Sequence, residues 1–467
     1  NAKRIKEAKV SNLEIGGIRG ELYNFQKLGV EFFINSGGRA ILADDMGTGK
    51  TIQSLAYVVN TNQKRTLVIS PASVKFSWKN ECERWTKLKS FVVDSKTKFA
   101  DIPYNVDVVI VNYDVLKKHF NELMKYKWNC LICDEAHMIK NTSAIRTKAV
   151  KAIAKNIPSV LLLSGTPLVN RTIELYNLLN IVDPKVWNNW YSYAVKYCGG
   201  HQGQWGFEAK GSSNLDELKQ RIGKYFLRRT KEEVLPELPP KIRTDVPMEL
   251  IGEFHKQYKT AASSLAQYLR QYKKETDSKI LKAVQAEKLV RINYLRQISS
   301  MAKVETAKEL IQNIIDTEEK VVVFSCFNAP LLELQKSFPN ESVMIIGDVD
   351  VGERGEIVKK FQEKSQIKVF LCGIKSGGVG LTLTAASNTI FIDYSWSSAD
   401  MIQAEDRIHR LGQGAMSVNI YQIISKNTID DFLKKLIENK KEIFDQLFGN
   451  EIIKKSSIIE EFIKKLE

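Results

Sequence analysis

Short apolar runs separated by polar joints recur along the first part of this 467-residue chain. They are Thr66-Leu67-Val68-Ile69, Val106 to Val111, Cys130-Leu131-Ile132-Cys133 and Val160-Leu161-Leu162-Leu163. Runs this short and continuous fit strands buried on both faces. Helical stretches separate most of them, which predicts a parallel sheet built from βα units. Each run ends in a polar cluster: Ser70-Pro71-Ala72, Asn112-Tyr113-Asp114, Asp134-Glu135-Ala136-His137 and Ser164-Gly165-Thr166-Pro167. Ligands of such sheets bind beyond the carboxyl ends of the strands, so these clusters mark a site. A second set, Val321–Phe324, Ser342–Ile346, Lys368–Leu371 and Thr389–Ile392, predicts a second sheet of the same kind.

Helical spacing fills the gaps. Leu22, Phe25, Leu28, Val30 and Phe32 share one face of a helix. Phe254, Tyr258, Ala261, Leu265, Tyr268, Leu269 and Tyr272 recur at three and four residues. Ile280, Leu281, Val284, Leu289, Ile292 and Leu295 resume the pattern after a polar break at Glu275–Ser278, which predicts a helical hairpin. Pro236, Pro239 and Pro240 forbid a continuing helix and stiffen an extended connector. Ile429 to Phe462 reads as amphipathic helices bracing the lobes. The organisation expected is a first lobe over 1–235 with an aromatic and helical insertion at 170–228, and a linker over 236–245. A helical protrusion over 246–302, a second lobe over 303–430 and a C-terminal brace over 431–467 follow.

Composition refines this. Apolar residues make up 43% and charged residues 26%, ordinary for a globular protein of two or three domains. No stretch approaches the ~18 apolar residues of a membrane span. The chain opens on Asn1, so a missing targeting segment carries no weight. Sixty-nine lysines and arginines against 54 acids give +15, which favours a polyanionic partner, most simply nucleic acid. The competing reading is a lysine-rich composition without a focused patch. Six cysteines are scattered, and Cys130/Cys133 fall inside a strand, so they read as core thiols of an intracellular protein, cytoplasmic or nuclear.

The strongest chemical signal is Ile41-Leu42-Ala43-Asp44-Asp45-Met46-Gly47-Thr48-Gly49-Lys50-Thr51. Gly47 and Gly49 let backbone N–H groups close round a phosphate at a helix N-terminus. Lys50 would reach the β/γ-phosphates and Thr51 would hold Mg²⁺. Asp44 stands where the strict phosphate-loop pattern has glycine, and a plain surface turn is the alternative. Asp134, at a strand end, suits the same Mg²⁺, and Glu135 suits polarising the attacking water. Arg407 and Arg410, three apart in Gln403-Ala404-Glu405-Asp406-Arg407-Ile408-His409-Arg410, suit neutralising charge on a transferred phosphoryl group. The glycines of Lys375-Ser376-Gly377-Gly378-Val379-Gly380 allow close approach to a phosphate of ATP or DNA.

The segments at 44–51, 134–137 and 163–167 resemble motifs I, II and III of superfamily 2 motors. The acidic-Met-Gly-x-Gly-Lys-Thr form, with Asp44 as its marker, is similar to the Swi/Snf ATPase family, as are Arg228-Arg229-Thr230-Lys231, Asp393-Tyr394-Ser395-Trp396 and the motif-VI-like run at 403–413. The departures are Thr48 for an apolar residue, no proline before Phe25-Gln26, and Ser398 for proline. The compact 299–305 region resembles the distant subgroup of annealing helicases and fork remodellers. The resemblance implies an α/β fold of two RecA-like lobes with parallel sheets, helical protrusions and a C-terminal helical brace. It also implies a duplex-DNA translocase using ATP and Mg²⁺. The expected ATP contacts are Gln26, Asp45, Met46, Gly47, Thr48, Gly49, Lys50, Thr51, Gly378, Gly380 and Gln403. Ser70, Pro71, Asn112, Tyr113, Ser325, Lys375 and Trp396 would track double-stranded DNA, while His137, Ser164 and Thr166 would couple the two activities. An RNA or strand-separating helicase, and a non-hydrolysing DNA scaffold, are the competing readings.

Overall fold

The structure, a computed structural model, describes residues 10–434 apart from 94–96, 166–171, 204–205, 210, 272–277, 348, 350 and 375–380. It divides into two units between Leu238 and Pro239. The first holds a seven-stranded parallel sheet of order β3-β4-β2-β5-β6-β1-β9. Its strands are β1 (Arg39–Leu42), β2 (Thr66–Ser70), β3 (Ser90–Val92), β4 (Val108–Asn112), β5 (Cys130–Cys133), β6 (Ser159–Leu163) and β9 (Phe226–Leu227). Every residue of β2, β4, β5 and β6 is buried, the outcome that unbroken apolar runs dictate. The β5 thiols Cys130 and Cys133 sit in this core, and burial pushes both well above the usual thiol range. A two-stranded hairpin, β7 (His201–Gly203) with β8 (Gly206–Glu208), lies in the glycine-rich stretch.

Register places the polar clusters on one edge. Ser70 is opposite Asn112, and Cys133 is opposite Leu162 and Ile69, so Asp134 and Ser164 leave the sheet side by side. β1 lies next to β6 and delivers the loop at 43–50 to the same edge. The helix Lys50–Asn60 then packs with the helix Asn24–Asn35.

The second unit holds a six-stranded parallel sheet of order β10-β15-β14-β11-β13-β12. These are β10 (Lys241–Met248), β11 (Val321–Ser325), β12 (Ser342–Ile345), β13 (Val369–Gly373), β14 (Asn388–Phe391) and β15 (Val418–Ser425). Residues 241–245, expected in the linker, are the start of β10, which pairs with β15 along its whole length. Its charge and Pro247 are tolerated because it is an edge strand, largely exposed. The helices Gly252–Gln271 and Ser278–Ala302 pack against each other as a hairpin. The hairpin is rooted in the sheet: Tyr258, Leu265, Ile292 and Leu295 share one apolar cluster with Phe324, Phe370 and Phe391. At its end Lys303, closed to solvent, pairs with Asp430 and donates to the Ile392 carbonyl at 2.8 Å. Most of the expected brace lies outside the described residues. Among the described residues no helix is long and apolar enough to cross a membrane.

Candidate nucleotide-binding site and motor residues

The loop after β1 is shaped by two left-handed glycines, Gly47 at φ +80° and Gly49 at φ +79°. Gly49 precedes the helix Lys50–Asn60, whose first turn carries no side-chain cap, leaving its N–H groups for an anion. A Cβ on Gly49 would lie 2.5 Å from Gln26 Nε2. Gln26 is buried and braces the loop from behind. Its Nε2 donates to the Thr48 carbonyl at 3.2 Å, and its Oε1 accepts from Tyr23 N at 3.1 Å. Thr48 is buried too and donates to the Asp45 carbonyl at 2.8 Å, so a hydroxyl in place of an apolar side chain closes the turn. Lys50 Nζ is folded onto the carbonyls of Asp44 (2.7 Å) and Asp45 (3.0 Å). Thr51 follows, half-buried, on the first turn.

The acidic pair of the loop is held from the end of the first unit. Asp44, 0% exposed, takes a forked contact from the Arg229 guanidinium and a further bond from Arg229 N at 3.0 Å. Asp45 accepts from Lys231 N at 3.1 Å and pairs with Arg228 at 3.6 Å. Arg229 also donates to Gln53 Oε1 at 3.0 Å and covers the Phe25 ring at 5.5 Å. The sequence pattern sets 228–231 at the end of the first lobe, ahead of the linker expected over 236–245, and gives no partner for Asp44. The missing signal is the pairing across 185 positions, which no local pattern records.

At the end of β5, Asp134 Oδ2 accepts from Trp78 Nε1 at 2.8 Å, and Oδ1 accepts from Glu135 N at 2.9 Å. Burial and the Glu135 carboxylate push Asp134 up to about 6, against the pull of Trp78 and Lys50. Glu135 sits at φ +48°, a conformation that strains a non-glycine residue. Its Oε2 lies 3.2 Å from His137 Nδ1, which is 3.4 Å from Ser164 Oγ. Gly165 then runs under the loop, where a Cβ would fall 2.6 Å from Met46 Cγ and 3.5 Å from Lys50 Nζ. Motifs I, II and III thus meet at one edge. Thr166 lies outside the described residues.

The expected DNA contacts fare differently. Tyr113 is 2% exposed and its hydroxyl donates to the Asp134 carbonyl at 2.8 Å, so it braces β5 and presents no face to DNA. Ser70 and Ser325 are both 0% exposed, because each strand ends inside the sheet edge. Ser325 Oγ is bonded to Asp393 Oδ2 at 2.6 Å. Asn112, 5% exposed, donates to Asp114 at 3.4 Å, and Pro71 is buried. Trp396 is half-buried, with the Arg296 guanidinium 5.0 Å from its ring and Phe327 at 5.2 Å from the same cation. Lys375, Gly378 and Gly380 lie outside the described residues.

In the second unit, Gln403 is half-buried on the helix Ser398–Glu405, and Arg407 and Arg410 lie just beyond it. Arg407 is 4% exposed and donates to the Leu381 carbonyl at 3.3 Å. Arg410 donates to the Asp406 carbonyl at 2.9 Å and to Thr382 Oγ1 at 3.0 Å. Glu405 and Asp406 are tied to β10 through Lys241, at 3.3 and 2.8 Å.

Residues 25–304 match the SNF2-related domain, and residues 302–412 match the helicase conserved C-terminal domain. The chain belongs to the SNF2-related family. Its SNF2 relatives include the SWI/SNF-related matrix-associated actin-dependent regulator of chromatin subfamily A-like protein 1 of Xenopus tropicalis, 31% identical over 95% of this chain and 46% of that one. The DNA annealing helicase and endonuclease ZRANB3 of Homo sapiens is 29% identical over 91% of this chain and 40% of that one. This SNF2 chain therefore spans about half the length of these relatives or less. Among solved structures, the Sulfolobus solfataricus SWI2/SNF2 ATPase core in complex with dsDNA aligns over 94% of this chain and 96% of that one, at 26% identity and a TM-score of 0.46.

Proposed function

We propose that this chain is an ATPase stimulated by double-stranded DNA, which steps along the duplex and remodels branched DNA or protein–DNA complexes. The observation that carries the reading is the meeting of Lys50, Asp134 and Glu135 at the carboxyl edge of the first sheet, beside an uncapped helix N-terminus. The donors present are oxygens, the Thr51 hydroxyl and the Asp134 carboxylate, which fit Mg²⁺. When bound, Mg²⁺ would neutralise charge on the nucleotide phosphates. Lys50 exchanges its loop carbonyls for phosphate oxygens, and Glu135, oriented by His137, polarises a water. Arg407 and Arg410 carry guanidinium charge of the kind that neutralises a transferred phosphoryl group. The net charge of +15 supports a polyanionic partner gripped through its backbone, with weak sequence preference and strong salt dependence. An intracellular location goes with that partner.

The deciding experiment measures ATP turnover with duplex DNA, single-stranded DNA and RNA in parallel. Stimulation strongest with duplex is expected. Equal rates with all three, or none with duplex, would sink the translocase reading.

A further inference from the structure

The residues joining the two units are bonded, at both ends, to the motifs proposed to hydrolyse ATP. On the first side, Ala43 N donates to the Leu227 carbonyl at 2.7 Å and Asp45 N to the Arg229 carbonyl at 3.0 Å. Arg229 forks onto Asp44, and Lys231 N reaches Asp45. The phosphate loop thus hangs on residues 227–231. On the second side, His409 Nε2 donates to the Pro239 carbonyl at 2.8 Å. Lys241 pairs with Asp406 at 2.8 Å, and Arg243 pairs with Glu405 at 2.6 Å. Those partners flank Arg407 and Arg410 in sequence.

Little slack lies between the two grips. Thr230 caps the single turn Lys231–Val234 through a reciprocal box with Glu233, at 3.3 and 2.8 Å. Leu235 is 1% exposed, and Pro236, Pro239 and Pro240 stiffen the rest. A passive tether would be polar, loose and attached far from the chemistry. This one is short, capped and attached to both halves of it.

We propose that residues 227–243 form a strut through which movement of the Arg407/Arg410 segment is transmitted to the phosphate loop. Arg229 and Lys241 are its positioning residues, acting through Asp44 and Asp406 and touching no nucleotide themselves. The inference rests on the ATPase reading above. It adds that duplex stimulation depends on the connector being short, and not on the two units alone.

The test inserts a flexible Gly-Ser stretch between Leu238 and Pro239, outside every contact described. Binding of a fluorescent ATP analogue and turnover without DNA are expected at parental levels, while duplex-stimulated turnover falls roughly tenfold or more. A second variant, Arg229→Lys, keeps the charge and loses the fork, so kcat is expected to fall with KM for ATP little changed. Parental stimulation in the insertion variant would overturn the strut, as would a loss at Arg229→Lys confined to KM. A parent chain that duplex DNA does not stimulate would defeat the functional reading itself, an outcome the insertion variant alone cannot produce.

Discussion

The indole of Trp78 donates to the carboxylate of Asp134 at 2.8 Å, from the helix Lys75–Trp85 that follows β2 after one short turn. One oxygen of the proposed Mg²⁺ ligand is therefore oriented by a tryptophan that is 2% exposed, and the other by the Glu135 N–H. Both bonds favour the ionised carboxylate, while burial and Glu135 oppose it, and the carboxyl settles at about 6. A cation would tip that balance toward ionisation.

Removing the indole N–H should weaken metal binding more than catalysis. Trp78→Phe keeps the packing and deletes the bond that holds Asp134. Loss of a partner that orients a metal ligand lowers metal affinity by about 10–100-fold. The half-saturating Mg²⁺ concentration for ATP turnover should rise within that range, with the rate at saturating Mg²⁺ affected less. An unchanged Mg²⁺ titration would remove Trp78 from the site.

Asp44 and Arg229 should behave as a single buried unit. Asp44→Asn leaves the half-buried Arg229 guanidinium without the carboxylate it forks onto, which is itself closed to solvent. Breaking a buried ion pair on one side costs about 3–5 kcal/mol, whereas replacing both partners with apolar groups costs far less. Chemical denaturation of Asp44→Asn, Arg229→Met and a combined Asp44→Leu/Arg229→Met chain reads this directly. Single losses that simply add in the combined chain would show that the two residues do not act together.

What the sequence made legible was local. Unbroken apolar runs announced β2, β4, β5, β6, β11, β13 and β14, because a strand buried on both faces leaves no other pattern. Strands β3 and β9, of three and two residues, are too short to register. β10 is disguised by Arg243, Asp245 and Pro247, which an exposed edge accepts. In the site, Lys50, Asp134 and Glu135 were legible because loop and strand end are each contiguous. The partners Trp78 and Arg229 were not, since they arrive from 56 and 185 positions away. Tyr113, just after β4, and Ser325, the last residue of β11, turn their hydroxyls inward onto Asp134 and Asp393, partners that no local pattern records.

Glu135 should be needed for turnover and dispensable for binding. Its side chain reaches His137. Glu135→Gln preserves shape while removing the basic oxygen, so turnover should fall by about 10²–10⁴-fold. Affinity for a fluorescent ATP analogue should stay near the parental value. Retained turnover would move the base elsewhere.

The second unit offers a stability test independent of nucleotide. Asp430 gathers the Lys303 ammonium, Ser299 Oγ at 3.0 Å and Ser425 N at 3.0 Å. Asp430→Asn leaves Lys303 charged and without its carboxylate in the core, which should cost about 3–5 kcal/mol. Hydrogen exchange should show faster opening of β14 and β15 in the second unit, with the first unit unaffected. Equal acceleration in both units would mean that they unfold as one.

Gly165 should tolerate a methyl group only if Met46 gives way. A Cβ there would stand 2.6 Å from Met46 Cγ and 3.4 Å from Met46 N, and the Cγ is too near the backbone to swing aside cheaply. Overpacking of this kind costs about 1–3 kcal/mol. Here the displaced residue lies in the phosphate loop, so Gly165→Ala should raise KM for ATP as well as lower the melting temperature. Shortening the obstacle should reverse both effects. A Met46→Ala/Gly165→Ala chain is expected to bind ATP more tightly than Gly165→Ala alone. If the pair is no better than the single variant, the contact between motifs I and III does not set the loop's position.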